Sequence, residues 1–178
     1  MESRRSTIVG SNAVRFAHMS SIPSVVRTLR DEFEGSYEVF FERFAEADPK
    51  PFEKFGDPIM WYGCAACYSP DPDNPGKALL PFEIETARLV DDVWQQWLDY
   101  DPVRMAPRNA DALRSMRRIY LDAGKSDEFF LDLGAMAFAR ELDAIGVEYS
   151  LELFEGKHGG LTYRYPGAIR ELVVALSE

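Results

Sequence analysis

The stretch that decides the fold is RIYLDAGKSDE, which occupies residues 118–128. After Arg118 it has a short apolar run and continues through a glycine and a serine to two acids, Asp127 and Glu128. Because short apolar runs bounded by turn residues are typical of β-strands, we predict a strand at residues 119–121 that ends at Gly124. The apolar positions of residues 128–145 then follow helical spacing and predict a helix that Gly146 closes.

A second strand and a final helix are predicted after this first pair. Residues 147–154 alternate between apolar and polar side chains, and residues 167–176 have a helical pattern. Strands that alternate with helices of this length indicate parallel pairing and the α/β class. We therefore predict a β-α-β-α unit over residues 117–178, with functional side chains at the carboxyl ends of its strands.

The preceding segment, residues 22–116, has a different pattern, with apolar positions at helical spacing and almost no strand signal. Two helices are predicted within residues 22–47, separated by Gly35 and Ser36, and further helices at residues 57–68, 85–100 and 109–116. Residues 69–81 contain four prolines and are predicted to form a loop. Residues 1–21 stay unassigned, although they could hold a strand at residues 7–9 or 13–16.

The composition excludes several classes of function. Apolar residues make up 46% of the chain, which indicates a globular protein, and the net charge of −10 repels nucleic-acid phosphates and anionic lipids. There is no run of eighteen apolar residues, and no apolar segment follows the basic residues near Met1. We expect a cytoplasmic protein that binds neither nucleic acid nor a membrane.

The two cysteines, Cys64 and Cys67, have C-x-x-C spacing, which could serve a redox pair or half of a zinc site. A zinc site would need two more ligands at matching spacing, and a redox site would need a strand just before the motif. Since the sequence shows neither, we interpret both cysteines as small buried residues on one helix. We expect no metal and no cofactor.

The predicted strand ends carry two residues suited to acid–base chemistry. His158 follows the second strand between glycines, and histidine is the side chain whose ordinary pKa suits a general base near neutral pH. Asp127 follows the first strand and could orient the imidazole, although it could equally cap the helix from Glu128. Asp122 and Asp132 are rivals for the same role. The only other histidine, His18, is interpreted as structural.

These residues resemble the carboxyl-terminal part of bacterial esterases of the α/β-hydrolase fold, in the branch related to esterase D and enterochelin esterase. The resemblance rests on the stretch from Arg118 to Glu128, on LDLGA at residues 131–135 and on LFEGKH at residues 153–158. It extends upstream to about Ile22 through AACYSPDPD, LPF, WL and DPVRM, at residues 65–73, 80–82, 97–98 and 101–105.

The resemblance implies a serine-dependent carboxylic-ester hydrolase in which Asp127 is the acid and His158 the base. It also implies that residues 22–116 are a helical insertion that roofs the active site, and that the substrate is a small ester. In the family a G-x-S-x-G nucleophile turn and an oxyanion-hole loop precede these elements, and the 178 residues contain no G-x-S-x-G. We therefore expect a partial α/β-hydrolase fold with an incomplete or altered amino terminus.

Three hypotheses about function follow from this gap. The chain is the carboxyl-terminal portion of an esterase that is inactive alone, or it is a non-catalytic half-fold that forms a homo-oligomer or docks on a separate amino-terminal half. A weaker alternative makes Ser126 or Cys64 the nucleophile. Trp61 with Tyr62, and Trp94 with Trp97, could line a pocket, but aromatic residues at helical spacing more often belong to the core.

Overall fold

The computed structural model describes residues 7–8 and 14–177, which contain helices together with a small parallel sheet and are compatible with the α/β class. The chain separates into two compact units. The helical unit comprises residues 18–100, and the sheet unit comprises residues 7–8, 14–17 and 101–177. None of the described helices is both long and apolar enough for a bilayer crossing.

The helical unit contains α2 (Tyr37–Glu46), α3 (Phe52–Tyr68), α4 (Asp91–Asp99) and all of α1 (Val14–Phe33) except residues 14–17, which are grouped with the sheet unit. The predicted break between the first two is confirmed, since Gly35 has a φ of 69° and the Ser36 hydroxyl accepts a hydrogen bond from the N–H of Val39. Helix α1 nevertheless begins eight residues before Ile22, and it continues through Pro23.

The core of the helical unit is largely aromatic. Trp61 is fully buried, and its ring stacks on Trp97 at 5.5 Å and meets Phe82 edge-on at 5.1 Å. Phe33 packs against Phe40 with ring centroids 5.0 Å apart. Trp61, Trp94 and Trp97 therefore belong to the core, as the helical spacing indicated.

Two predictions within this unit are wrong. The helix predicted at residues 85–100 begins only at Asp91, because the preceding residues form a tight turn in which Ala87 has a φ of 60° and Phe82 pairs with Leu89. The interpretation of both cysteines as buried is also wrong: Cys64 is half-buried, whereas Cys67 is exposed on α3.

The sheet unit contains three parallel strands in the order β1 (Thr7–Ile8), β2 (Ile119–Gly124) and β3 (Ser150–Phe154). Helix α7 (Leu131–Ala144) connects β2 to β3, and helix α8 (Tyr165–Ser177) follows a short 3₁₀ turn at Leu161–Tyr163. The register pairs Tyr120 with Ser150 and Gly124 with Phe154, so the carboxyl ends of β2 and β3 lie side by side. The predicted β-α-β-α order is confirmed.

The sheet unit also includes helices α5 (Pro102–Arg108) and α6 (Ala110–Arg114), which the sequence grouped with the helical segment 22–116. Both helices bury side chains in the core beneath the sheet. That core consists of Ala106, Leu113, Ile119, Leu121, Phe138, Ala139, Leu142 and Val147. The boundary between the two units therefore lies after Tyr100 rather than after Met116.

Other boundaries differ from the predicted ones for local reasons. Helix α5 was not predicted, since Pro102 was interpreted as a stop; it begins the helix instead, with Asp101 accepting a hydrogen bond from the N–H of Val103. A helix at residues 109–116 was predicted, and α6 covers only its middle. In the amino-terminal segment a strand is found at Thr7–Ile8, while residues 9 and 13 lie outside the described part.

Candidate functional site

The candidate site is built from the two loops that leave the carboxyl ends of β2 and β3. Backbone hydrogen bonds continue beyond the strands, from the N–H of Lys125 to the carbonyl of Phe154 and from the N–H of Ser126 to the carbonyl of Gly156, both at 2.9 Å. These bonds hold the Asp127 loop and the His158 loop side by side. The position of each side chain is therefore fixed by the sheet register.

Gly124 allows this close approach. A Cβ atom at that position would lie 2.4 Å from the carbonyl oxygen of Gly156 and 2.7 Å from its carbonyl carbon. Both contacts are with backbone, so no side-chain rotation could relieve them. Glycine is needed at the end of β2 because the neighbouring loop passes directly over it.

The side chain of Asp127 is almost fully buried, with 4% of its surface exposed. One carboxylate oxygen, Oδ1, accepts a hydrogen bond from the N–H of Phe129 at 2.7 Å. The other, Oδ2, lies 3.2 Å from Nδ1 of His158. The first bond fixes the orientation of the carboxylate, so that its second oxygen is directed at the imidazole.

His158 is held from two further directions. Its backbone N–H donates to Oε2 of Glu128 at 3.2 Å, and its ring packs against Phe129 with centroids 5.0 Å apart at an interplanar angle of 80°. About half of the side chain is nevertheless exposed. The imidazole is thus anchored at Nδ1 and along one side, while a large part of the ring stays accessible.

The Glu128 side chain supports His158 by binding its backbone N–H and does not contact its ring through a hydrogen bond. Hydrogen bonds from its own backbone N–H and from that of His158 lower the pKa of this carboxyl from its ordinary value. The carboxylate therefore stays ionised at neutral pH and keeps the His158 loop attached to the Asp127 loop. A salt bridge between Lys125 and Glu155, at 2.6 Å, joins the same loops at the exposed surface.

The rival acids are engaged elsewhere. Asp122 lies on β2 and accepts a hydrogen bond from Arg164 at 2.9 Å, and Asp132 lies in the first turn of α7. The helix-capping interpretation of Asp127 also fails, because α7 begins at Leu131 instead of Glu128. Asp127 is the carboxylate that contacts the His158 ring, whereas Glu128 binds the backbone of His158.

Among the described residues, no serine, threonine or cysteine side chain hydrogen-bonds to the His158 ring. Ser126 is exposed and takes part in the loop pairing through its backbone, and Cys64 belongs to the other unit. Burial and the neighbouring Cys67 raise the pKa of the Cys64 thiol, which is the opposite of what a reactive thiolate needs. The side chain of His18 lies outside the described residues.

A second polar cluster lies on the face of the sheet that is opposite the core formed with α7. Arg164 binds Asp122 on β2 and Glu152 on β3, with the latter distance 2.6 Å, and it receives further support from the hydroxyl of Tyr120. Its guanidinium lies 4.2 Å from the ring centroid of Phe154. Because these interactions satisfy the guanidinium from several sides, the cluster fastens the start of α8 to the sheet.

The sequence predicted Asp127 and His158 as site residues, and the structure brings them into contact. The contacts of Glu128, Phe129 and Arg164 were not predicted. The adjacency of Glu128 and Phe129 to Asp127 was a usable signal, since residues of one short loop share its surroundings. Within the described part of the chain, no group of three or more potential metal ligands comes together. No protein-family model matches the chain, and no curated protein matches it.

Proposed function

We propose that Asp127 and His158 are the acid and the base of a serine-type carboxylic-ester hydrolase. The observation that carries this proposal is the 3.2 Å contact between a buried carboxylate oxygen and Nδ1 of a half-exposed imidazole. A structural ion pair would gain little from leaving one partner open to the solvent. A general base, in contrast, needs one nitrogen fixed and the other accessible to a reactant.

The roles follow from the geometry. When Nδ1 carries the proton and donates a hydrogen bond to Asp127, the lone pair of Nε2 is free. It can accept the proton of a serine hydroxyl while the serine oxygen attacks an ester carbonyl. The imidazolium that forms is stabilised by the adjacent carboxylate and then returns its proton to the departing alcohol. Phe129 and Glu128 keep the ring and its loop in place during this exchange.

In this proposal the nucleophile is a serine outside residues 1–178, on a preceding polypeptide segment. The described chain offers no hydroxyl hydrogen-bonded to His158, and the sequence has no G-x-S-x-G turn. We accordingly expect the isolated chain to hydrolyse simple esters hardly faster than the buffer does. The sheet unit would be the last part of an α/β-hydrolase fold, and the helical unit would correspond to its cap.

The coding DNA upstream of Met1 provides the first test. A G-x-S-x-G turn encoded there, in frame or in a shifted frame, allows the complete protein to be produced and treated with a fluorophosphonate probe. We expect stoichiometric labelling of that serine, and a loss of at least about a thousandfold in labelling rate for His158→Ala. Absence of such a turn, or labelling that does not depend on His158, would refute the proposal.

The isolated chain gives a complementary test. Stoichiometric labelling of any serine within residues 1–178 by the same probe would contradict the assignment of the nucleophile to another segment. Ser126 is the residue to inspect first, because it adjoins Asp127. Its replacement by alanine should leave the chain as unreactive as the native protein.

A second candidate function is that of a non-catalytic interaction protein, and helix α8 favours it. Tyr165, Ile169 and Val173 are spaced one helical turn apart, and each exposes more than half of its surface. An apolar stripe of this kind is typical of a surface that contacts another polypeptide. In this alternative the stripe docks a second copy of the chain.

Light scattering of the purified chain separates the two candidates. The interaction hypothesis expects a dimer that Ile169→Glu converts to a monomer, whereas Glu171→Gln on the same helix serves as a matched control. A monomer at all accessible concentrations, with a cooperative melt, would exclude the second candidate. That result leaves the acid–base proposal to stand on its own test.

A further inference from the structure

The helical unit contains a cavity of about 800 Å³ that has no role in the proposed chemistry. Helices α2 and α3 supply one wall, and residues of the loop between α3 and α4 supply the other. The residues that matter for its chemistry are Tyr37, Phe41, Tyr62, Glu38, Glu42 and Lys77. A cavity of this size is in the range that small-molecule sites occupy.

Aromatic rings form one corner of the cavity. Phe41 and Tyr62 meet with centroids 4.8 Å apart and planes at 81°, so their faces stand nearly at right angles. Tyr37 lies behind them, 4.8 Å from Tyr62, and its hydroxyl is bound to the carbonyl of Pro58. Since Tyr37 is buried while Phe41 and Tyr62 are only half-buried, the last two present ring surface to a ligand.

The sequence of α2 places carboxylates beside this aromatic corner. Tyr37 and Phe41 are four residues apart and share one side of the helix, and Glu38 and Glu42 form the adjacent row. Lys77 on the loop is the one cationic residue among those that line the cavity, so the lining carries a net charge of −1 from two carboxylates and one ammonium.

The two carboxylates differ in their partners. Glu38 binds the Lys77 ammonium at 2.9 Å and accepts a hydrogen bond from the Ser36 hydroxyl at 3.0 Å. These hydrogen bonds lower the pKa of Glu38 to about 2, so it is ionised at neutral pH. Glu42 has no hydrogen-bond or ion-pair partner within the described part of the chain, and its charge is free to meet a ligand.

We propose that this cavity binds a small organic cation, of the alkylated ammonium class. Ring faces at right angles attract such a cation through their quadrupoles, and they also bury its alkyl groups. Glu42 attracts the charge, and Glu38 contributes once the cation competes with Lys77. Anionic molecules are disfavoured because both carboxylates lie on the aromatic side.

Choline and its neutral isostere 3,3-dimethylbutan-1-ol test the proposal on the full chain, because the two molecules have the same shape and differ in charge. Amide chemical-shift titration should show saturable binding of choline at residues of α2, α3 and the 69–90 loop. We expect the neutral alcohol to bind at least about tenfold more weakly. Equal binding of the two, or no saturable shift with choline, would overturn the proposal.

Substitutions in the lining define the site more sharply. Tyr62→Leu and Phe41→Leu keep an apolar side chain without a ring, and each should weaken choline binding about fivefold to thirtyfold. Glu42→Gln should also weaken it, whereas Glu46→Gln, on α2 but outside the cavity, serves as the matched control. Unchanged affinity in both ring variants would show that the cation binds elsewhere.

Lys77→Gln gives the most specific outcome. Because it removes the ammonium that occupies Glu38, the variant should bind choline more tightly than the native chain. Damage to the fold cannot produce a gain of this kind. Weaker binding by Lys77→Gln would mean that Lys77 supports the ligand rather than competing with it, and would refute the proposed charge preference.

Discussion

Both units of this protein bury polar side chains, and the partners of Ser69 in one unit differ in kind from those of Asp127 in the other. In the helical unit, the hydroxyl of Ser69 donates to the carbonyl of Leu79 at 2.7 Å and accepts from the indole N–H of Trp97 at 2.8 Å. Every partner of Ser69 is itself buried or part of the backbone. In the sheet unit, the buried carboxylate of Asp127 is instead paired with a ring that is half-exposed.

The difference separates a structural polar group from a functional one. Ser69 satisfies donors and acceptors inside a closed core, so its contribution is to stability. Asp127 directs one oxygen to a side chain that a second molecule can reach. Asp101, also a buried acid of the sheet unit, caps α5 and is structural like Ser69, so the contrast is between Ser69 and Asp127, to which we assign a role in chemistry.

The largest expected effect is on stability in the helical unit. Trp61→Ala would empty a fully buried site beside Trp97 and Phe82, and should reduce the free energy of unfolding by about 3–5 kcal/mol. Urea unfolding followed by tryptophan fluorescence reports on this unit alone, because all three tryptophans belong to it. His158→Ala, measured by amide hydrogen exchange in the sheet unit, should cost less, about 1–3 kcal/mol, because it leaves one oxygen of the buried Asp127 carboxylate without its partner. A comparable loss in both variants would remove the contrast.

The next effect concerns the hydrogen bonds of Ser69. Ser69→Ala leaves the indole N–H of Trp97 and the carbonyl of Leu79 without this partner in a buried setting, which should cost about 1–3 kcal/mol. Ser24→Ala, an exposed serine on α1, is the control and should stay within about 0.5 kcal/mol. If Ser69→Ala proved as mild as its control, Ser69 could not be described as structural.

A pair of glycine substitutions compares the backbone of the two units. Gly124→Ala should destabilise the sheet unit by about 1–3 kcal/mol, because the new methyl group would overlap the backbone of Gly156. Gly63→Ala, in α3 with open space around it, should instead stabilise the helical unit by about 0.5–1 kcal/mol. Amide hydrogen exchange measures both changes locally. A neutral Gly124→Ala would mean that the two loops are less closely packed than described.

The small size of the effect at Gly63 is part of the comparison. There, alanine only improves helix propensity, while at Gly124 the same change affects the loops that carry Asp127 and His158. We therefore expect Gly124→Ala to alter the chemical shifts of the His158 ring as well as stability. Unchanged ring shifts alongside lost stability would separate the fold of the sheet from the geometry of the site.

Much of the sheet unit could be predicted from the sequence, since β2 is a short apolar run that ends at a glycine and β3 alternates between apolar and polar side chains after Gly146. Because the two strands were predicted to run parallel, Asp127 and His158 were expected together at the carboxyl ends of the strands. The start of α5 was missed because proline can stop a helix or begin one, and only the cap from Asp101 distinguishes the two. The turn before α4 was missed for a similar reason, as a positive φ at Ala87 has no sequence signature.

The details of the site depend on tertiary structure. The sequence could not show that Asp127 is buried while His158 is half-exposed, because each lies in a loop whose burial depends on what packs over it. The contacts of Phe129 and Glu128 with His158 depend on how two loops thirty residues apart pack together. Local patterns encode the strands, but only the register between strands determines these distances.

The central claim is that Asp127 sets the tautomer of His158, and long-range ¹H–¹⁵N correlation spectra of the neutral imidazole test it most directly. We predict that Nδ1 carries the proton in the native chain, and that Asp127→Asn shifts the population toward the Nε2-protonated form while the His18 signals stay unchanged. An Nε2-protonated His158 in the native chain, or a tautomer insensitive to Asp127→Asn, would contradict the account.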